Sequence, residues 1–214
     1  VGEDPQVAAL VDSGAPTITL VAKSDLRHVT GALRTTAEEN LAMVRDTVEH
    51  LVGLGREVFL DAEHFFDGFI HDAEYTTSVL LAAHEAGASV LVLCDTNGGM
   101  LPHQVTEIVD QLRARLTAAG AGEARLGAHT HNDTGCAVAN AISAVRAGIT
   151  HVQGCINGYG ERTGNADLVT LMADLQLKMG MDLVPVETFE ETTRISHAIG
   201  EIVNMPVNPR APYV

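Results

Sequence analysis

Short runs of β-branched and apolar residues alternate with Ala- and Leu-rich segments of helical periodicity along most of the chain. Glycine closes most of the helical segments, and Thr36, followed three positions later by Glu39, has the pattern of a helix N-cap. The predicted strands cover residues 17–22, 57–61, 89–94, 124–129 and 150–155. The predicted helices cover residues 36–53, 73–86, 103–119, 135–147, 165–179 and 186–203.

This alternation predicts a parallel β-sheet covered by helices, either open and doubly wound or part of a barrel. No glycine-rich dinucleotide-binding fingerprint follows the first strand, and polar residues cluster after successive strands, where barrel active sites lie. Five βα units do not close an eight-stranded barrel. We expect residues 1–185 to belong to the barrel and residues 186–214, which end in a proline-rich stretch, to begin a helical linker.

The composition is that of a globular protein, with 46% apolar and 19% charged residues. The net charge of −15 repels polyanions, so we expect neither nucleic acid nor an anionic membrane surface as a partner. No apolar run has the length of a membrane span, the N-terminus lacks a secretory pattern, and the three cysteines form no C-x-x-C pair. These features predict a cytoplasmic protein with buried, reduced thiols and no catalytic cysteine.

The strongest local motif is A-H-T-H-N-D-T-G at 128–135. Residues two apart on a strand point to the same face with Cα atoms about 6.6 Å apart, so His129 and His131 can reach one ion. Imidazole suits Zn, Mn, Fe or Co, and oxygen ligands from elsewhere would extend the choice to Mg. Two histidines that only form hydrogen bonds at a strand end are the alternative. Asp133 is expected to accept from a ring N–H or to brace the loop, or else to be an ordinary turn residue before Gly135.

Three other strand ends carry polar groups, at 61–64, 94–99 and 157–165, and all should converge on one rim of the sheet. Glu63 is the candidate general base, because a buried carboxylate beside a cation can remove a proton from a carbon acid. A solvated loop carboxylate is the alternative. The glycines at 157–165 either let backbone amides approach a ligand or form a tight turn that Asn165 caps.

Together these segments resemble the family of Claisen-type acyltransferases and lyases that includes isopropylmalate, homocitrate and citramalate synthases and hydroxymethylglutaryl-CoA lyase. The stretch L-G-A-H-T-H-N-D-T-G-C-A at 126–137 is similar to the family's metal-binding signature, and I-N-G-Y-G-E-R-T-G-N at 156–165 to the loop after its last strand. The resemblance implies a partial (β/α)8 TIM barrel that holds strands four to eight. Within the family, R-E-V-F-L-D-A-E-H-F-F-D-G at 56–68 and L-C-D-T-N-G-G at 93–99 resemble the citramalate synthase branch.

The resemblance also implies a metal site. His129, His131 and Asn165 would ligate a divalent ion, which would be Mn, Mg or Zn. Asp133 and Glu161 are expected to hold these ligands in place.

The implied reaction condenses acetyl-CoA with a short 2-oxo acid, which is pyruvate in the citramalate branch. Glu63 would be the acid/base group, and Thr96 would bind the carboxylate of the oxo acid. Asp61 and Asn97, at the same strand ends, are further candidates for substrate binding. A metal-stabilised enolate would attack the keto carbon, and thioester hydrolysis would release citramalate and CoA.

The chain departs from the family pattern at both ends. The first-strand L-R-D-G segment, which supplies a metal-ligating Asp and an Arg that acts on the enolate, is absent, and S-D-L-R at 24–27 is not that motif. The resemblance therefore implies a fragment of a longer, homodimeric enzyme. We expect this chain alone to bind metal weakly and to have no turnover.

Several other functions stay open at this point. They are isopropylmalate or homocitrate synthesis, aldol cleavage like that of hydroxymethylglutaryl-CoA lyase, and a non-catalytic half barrel that binds metal or pairs through its exposed strand edge. An H-x-H metallohydrolase is disfavoured, because those barrels place the motif on the first strand.

Overall fold

Five parallel strands form one sheet, and their order in space is their order along the chain. The computed structural model describes residues 1–213. The strands are β1 (Thr17–Lys23), β2 (Glu57–Glu63), β3 (Val90–Asp95), β4 (Leu126–Thr130) and β5 (His151–Gln153), and each pairs in parallel with the next. The strand order of a doubly wound sheet reverses at a switch point, whereas this one does not.

Within residues 1–213, ten helices precede, connect or follow the strands. They are α1 (Pro5–Asp12), α2 (Leu26–His28), α3 (Ala37–Gly53), α4 (Phe65–His71), α5 (Ala73–Glu85), α6 (Pro102–Ala118), α7 (Ala137–Arg146), α8 (Leu168–Ala173), α9 (Val186–Phe189) and α10 (Thr192–Ile202). Two π-helical turns, Val29–Leu33 and Asp174–Lys178, extend α2 and α8. Thr36 caps α3 as predicted, since its hydroxyl accepts from the backbone N–H of Glu39 at 3.2 Å.

The helices pack on one face of the sheet. Alternate strand residues such as Leu60 and Leu93 belong to the main core together with side chains of α3, α5 and α6. The residues on the other face form only a small separate cluster around Val92, and Val21 on β1 is 60% exposed there. A doubly wound sheet has helices on both faces, so one-sided covering is the arrangement of a barrel wall.

The prediction of five alternating βα units is confirmed, with shifts at the ends of elements. The predicted helix 165–179 is wrong at its start, because Asn165 and Asp167 form bridges with His131 and Cys155, just beyond β4 and β5. The carboxylate of Asp167 then caps α8. The segment 186–203 forms two helices instead of one. The short helices α1, α2 and α4 were not predicted. Gly68 lets α4 lie close to the backbone just after β1, because a Cβ at position 68 would meet Asp25 Cα at 2.9 Å.

Cys94, Cys136 and Cys155 are free thiols, of which Cys94 is buried and the other two are half-buried. The expectation of three buried thiols is therefore met only at Cys94. Burial raises the pKa of Cys94 well above its ordinary value and raises that of Cys155, which disfavours their thiolate forms. Among residues 1–213, no helix combines the length and apolar character needed to cross a bilayer.

Candidate metal and active site

The end of β4 brings two histidine rings together. His129 and His131 place their Nε2 atoms 3.3 Å apart, and their ring centroids lie 5.1 Å apart. His131 is 4% exposed. Burial is the main cause that lowers its pKa, and the adjacent His129 adds to it, so His131 favours the neutral form that can ligate a metal.

Asn165 reaches these rings through a backbone pairing. The chain returns after β5 so that residues 164–166 run beside 130–132. Asn132 N–H donates to Gly164 O at 2.9 Å, and Ala166 N–H donates to Thr130 O at 3.0 Å. This pairing leaves Asn165 opposite His131 and puts Asn165 Nδ2 2.9 Å from His129 Nε2.

The three side chains suit a divalent cation. Two neutral imidazole nitrogens and one carboxamide converge on one point, and a half-turn of the Asn165 amide would present its oxygen there. The buried His131 Nδ1 has no hydrogen-bond partner in residues 1–213, so the polar contacts of that ring are made through Nε2, which faces the convergence point. Nowhere in this range do three His, Cys, Asp or Glu side chains form a metal-binding group. The candidate ligands in the described residues are thus two histidines and the side-chain amide of Asn165.

Arg162 joins the loops that follow three strands. Its guanidinium donates to both carboxylate oxygens of Asp133 at 3.0 Å and to the backbone oxygen of Thr96 at 2.7 Å. This arginine lowers the pKa of Asp133, mainly through the side-chain hydrogen bonds. Glu161 lies at the edge of the site, with Oε1 3.7 Å from His131 Nε2. Asp133 therefore braces the loops and does not contact a histidine ring in this arrangement.

Glu63 ends β2 and forms an ion pair with Lys23, its direct neighbour on β1. Asp61 lies two residues earlier on the same face, and burial raises the pKa of its carboxyl group. Asp61 Oδ1 accepts from Gln153 Nε2 at 2.9 Å, and Gln153 Oε1 lies 2.7 Å from His129 Nδ1. A continuous polar contact therefore runs from β2 through β5 to the candidate metal ligand on β4.

The loop after β3 contains the other predicted substrate-binding residues. The Thr96 hydroxyl accepts from the backbone N–H of His64 at 2.7 Å, which joins this loop to the end of β2. Asn97 is exposed, and its amide donates to Asp67 at 2.9 Å. Thr96 thus lies between Arg162 and the end of β2, whereas Asn97 points to α4.

Asp95, the last residue of β3, holds that loop in place. Its buried carboxylate accepts from the backbone N–H groups of Gly99 and Met100 at 3.1 and 3.2 Å. Burial raises the pKa of Asp95 to about 6 despite these two hydrogen bonds. Gly98 in the same loop packs against Asp133, and a Cβ at position 98 would lie 2.4 Å from that carboxylate.

The last helix packs against the loop that carries Asn165. The Asn157 amide donates to Ser196 O at 2.9 Å, and the Ser196 hydroxyl donates to Asn157 Oδ1 at 2.6 Å. Tyr159 donates from its hydroxyl to Met205 O at 2.7 Å. The segment after residue 185 thus contacts the site loop directly.

Gln153 and Arg162 are site residues that sequence reasoning missed. Arg162 lies inside the G-E-R-T-G-N stretch, where a basic residue near the acidic loop at 128–135 could have suggested an ion pair between the two loops. Gln153 sits on β5 on the same face as His151, so strand alternation places it on the open face. Its partner Asp61 is 92 residues away, and no local pattern indicates that contact.

Comparisons with known proteins show which family this chain is similar to. The family model described as HMGL-like matches residues 2–199. An (R)-citramalate synthase of Streptomyces coelicolor is 58% identical over 99% of this chain and 39% of its own length. An (R)-citramalate synthase of Aquifex aeolicus is 48% identical over 100% of this chain and 40% of its own length.

A crystal structure of a hydroxymethylglutaryl-CoA lyase from Bacillus subtilis is similar over 95% of this chain and 69% of that chain, with a TM-score of 0.77 and 21% identity. At that identity the similarity concerns the fold. The family resemblance predicted from the motifs is confirmed. The chain spans about 40% of the length of the curated relatives it matches.

Replacing Gly160 by alanine should weaken cation binding. A Cβ at position 160 would lie 1.8 Å from Asn165 Oδ1, so the amide must leave its place beside His129. We expect the dissociation constant for Mn²⁺, measured by calorimetry, to rise at least about tenfold. The protein for this test is the longest natural chain that contains this sequence, called the full-length chain below.

Gly99→Ala is the matched control, because nothing lies within 4 Å of a Cβ at that position. Equal Mn²⁺ affinities of the Gly160→Ala and Gly99→Ala proteins would contradict the placement of Asn165.

Replacing Asp95 by asparagine should change how stability depends on pH. Since the folded-state pKa of Asp95 is raised, the native protein binds more protons than the unfolded chain between about pH 4 and pH 6. The contribution of Asp95 is therefore most favourable below this window and is lost as pH rises through about 6. Relative to Asp95→Asn, the wild type should lose about 1 to 3 kcal/mol of unfolding free energy between about pH 4.5 and pH 7.

Urea denaturation at the two pH values measures this difference. Asp110→Asn on the exposed surface of α6 is the control and should show no such change. A difference between wild type and Asp95→Asn that is the same at both pH values would refute the assignment.

Proposed function

We propose that this chain, which belongs to the HMGL-like family, carries part of the active site of an acyltransferase that condenses acetyl-CoA with pyruvate. The products are (R)-citramalate and CoA. The observation that carries the proposal is the 58% identity to an (R)-citramalate synthase over 99% of the chain. The convergence of His129, His131 and Asn165 provides independent support from geometry.

In this proposal the five strands correspond to strands four to eight of a (β/α)8 barrel. The sequential strand order, the one-sided helix layer and the similarity to the lyase structure support it. Residues 1–185 then belong to the barrel, and residues 186–214 begin the region that follows it. A homodimeric full-length enzyme and a cytoplasmic location stay predictions.

The metal site would consist of His129, His131 and Asn165 in this chain. A divalent cation bound there would act as a Lewis acid towards the keto oxygen of the 2-oxo acid. His131 is buried and favours its neutral form, so it offers a lone pair without first losing a proton. Arg162 and Asp133 keep the two loops that carry these ligands at a fixed separation.

Glu63 would remove the methyl proton of acetyl-CoA. Lys23 binds one carboxylate oxygen of Glu63, and the other oxygen, Oε1, has no hydrogen-bond partner in residues 1–213. Glu63 lies 27% exposed at the end of β2, where a substrate can reach it. The resulting enolate would attack the keto carbon of pyruvate, and water would then cleave the thioester to release CoA.

Thr96 would bind the carboxylate of pyruvate. Its hydroxyl oxygen already accepts from His64 N–H, so its own proton is free to point to an anion. Asn97 has a weaker case as a substrate ligand, because it is exposed and its amide is bonded to Asp67.

The central test measures CoA release by the full-length chain from acetyl-CoA with Mn²⁺ and each of several 2-oxo acids. We expect release with pyruvate and formation of (R)-citramalate, detected by chiral chromatography. Faster release with 2-oxoisovalerate or 2-oxoglutarate would favour isopropylmalate or homocitrate synthesis instead. Absence of release with every 2-oxo acid, or cleavage of hydroxymethylglutaryl-CoA, would overturn the proposal.

Replacing Glu63 by glutamine should remove the base and leave the fold intact. We expect kcat for pyruvate condensation to fall by about 10² to 10⁴. The affinity for Mn²⁺ should change little, because Glu63 is not among the proposed ligands. Glu123→Gln is the control, since the Glu123 side chain is 74% exposed and its one salt-bridge partner within residues 1–213 is His84. A Glu63→Gln enzyme with the kcat of Glu123→Gln would exclude Glu63 as the base.

A further inference from the structure

Gln153 connects a buried carboxylate to a candidate metal ligand. On one side its Nε2 lies 2.9 Å from Asp61 Oδ1, and on the other its Oε1 lies 2.7 Å from His129 Nδ1. Asp61 is 9% exposed, and Gln153 is half-buried. The three side chains come from β2, β5 and β4, so the contact crosses the open face of the sheet.

The direction of these hydrogen bonds follows from chemistry alone. An ionised carboxylate only accepts hydrogen bonds, so the group that Gln153 presents to Asp61 must be its NH2. The carbonyl oxygen of Gln153 then faces His129 and can only accept. His129 Nδ1 must therefore carry the proton, and its Nε2 must hold a free lone pair.

That lone pair points to the convergence of the proposed site. His129 Nε2 lies 2.9 Å from Asn165 Nδ2 and 3.3 Å from His131 Nε2. A metal-ligating histidine binds through an unprotonated nitrogen, and the partner of its other nitrogen sets which one is unprotonated.

We infer that Gln153 and Asp61 are positioning residues that fix His129 in its Nδ1–H tautomer and so prepare Nε2 for a divalent cation. This inference rests on the proposed metal site. It gives Asp61 a different role from the substrate binding expected from sequence, since one oxygen of its buried carboxylate, Oδ1, accepts from Gln153.

His131 provides an internal contrast. Its Nδ1 is buried and has no hydrogen-bond partner among residues 1–213, so no acceptor holds the proton on Nδ1 and leaves Nε2 unprotonated. Of the two histidines, only His129 has a neighbour that fixes the tautomer needed to bind a cation through Nε2. Disturbing Gln153 should therefore alter one ligand and leave the fold around the other unchanged.

The first test measures Mn²⁺ binding alone, by calorimetry on the full-length chain. Gln153→Leu keeps the approximate size of the side chain and removes both hydrogen bonds, so we expect a dissociation constant about 10 to 100 times higher. Gln153→Glu should rescue binding to within about threefold of wild type. Two adjacent carboxyl groups hold one proton, so the carboxyl group introduced by Gln153→Glu can donate to Asp61 and still accept from His129.

Gln176→Leu is the matched control, because Gln176 also makes two hydrogen bonds, both to the backbone of Val184, away from the site. Its Mn²⁺ affinity should equal that of wild type. If Gln153→Leu binds Mn²⁺ as tightly as Gln176→Leu, or if Gln153→Glu binds as weakly as Gln153→Leu, the positioning role is wrong.

The second test reads the tautomer itself in metal-free protein labelled with ¹⁵N-histidine. The His129 signals, identified as those lost in His129→Gln, should show a protonated Nδ1 and an unprotonated Nε2. In Gln153→Leu this preference should disappear. A wild-type His129 with the proton on Nε2 would overturn the inference.

The two tests separate the inference from the proposal on which it rests. A wild-type protein that binds no Mn²⁺ but shows the Nδ1–H tautomer overturns the proposed metal site and supports the Gln153 contact. A wild-type protein that binds Mn²⁺ without that tautomer preserves the metal site and overturns the role of Gln153.

Discussion

The candidate site depends on the backbone pairing between residues 130–132 and 164–166. Two hydrogen bonds join these segments, and they set Asn165 opposite His131. The pairing needs the chain to leave β5 after only three residues, turn through Ile156–Gly158 and return beside β4. The glycines of this loop make the return possible, since any side chain at position 160 would occupy the place of the Asn165 amide. Without this return, the two histidines would have no third ligand in the described chain.

The electrostatic setting of the site differs from that of the whole molecule. The chain carries a net charge of −15, yet the groups at the centre are two imidazoles and an amide. The acidic side chains around them are each bonded to another side chain. Asp133 is bound by Arg162, Glu63 by Lys23 and Asp61 by Gln153. Such an arrangement offers a cation neutral ligands inside a negative surrounding field, which favours its approach.

Much of the fold and part of the site could be predicted from the sequence. The five strands follow from runs of apolar residues, and the facing of His129 and His131 follows from strand alternation. The short helix α4 could not be foreseen, because its seven residues depend on the close approach that Gly68 allows. The contact between Asp61 and Gln153 joins residues far apart in the chain, and only the packing of β2, β4 and β5 reveals it. Local patterns therefore indicate ligands, whereas the groups that orient those ligands need the three-dimensional structure.

The bonds between Asn157 and Ser196 have an evolutionary consequence. The Ser196 hydroxyl donates to the Asn157 side-chain oxygen, and the Asn157 amide donates to the Ser196 backbone oxygen. Asn157 also holds a left-handed backbone conformation, φ 61°, that few residues other than glycine and asparagine adopt readily. A change at either position alone would leave an amide or a hydroxyl unsatisfied beside the loop that carries Asn165. The two positions should therefore change together in descendants of this sequence. Substitutions in α10 would then accompany substitutions in a loop about forty residues earlier in the chain.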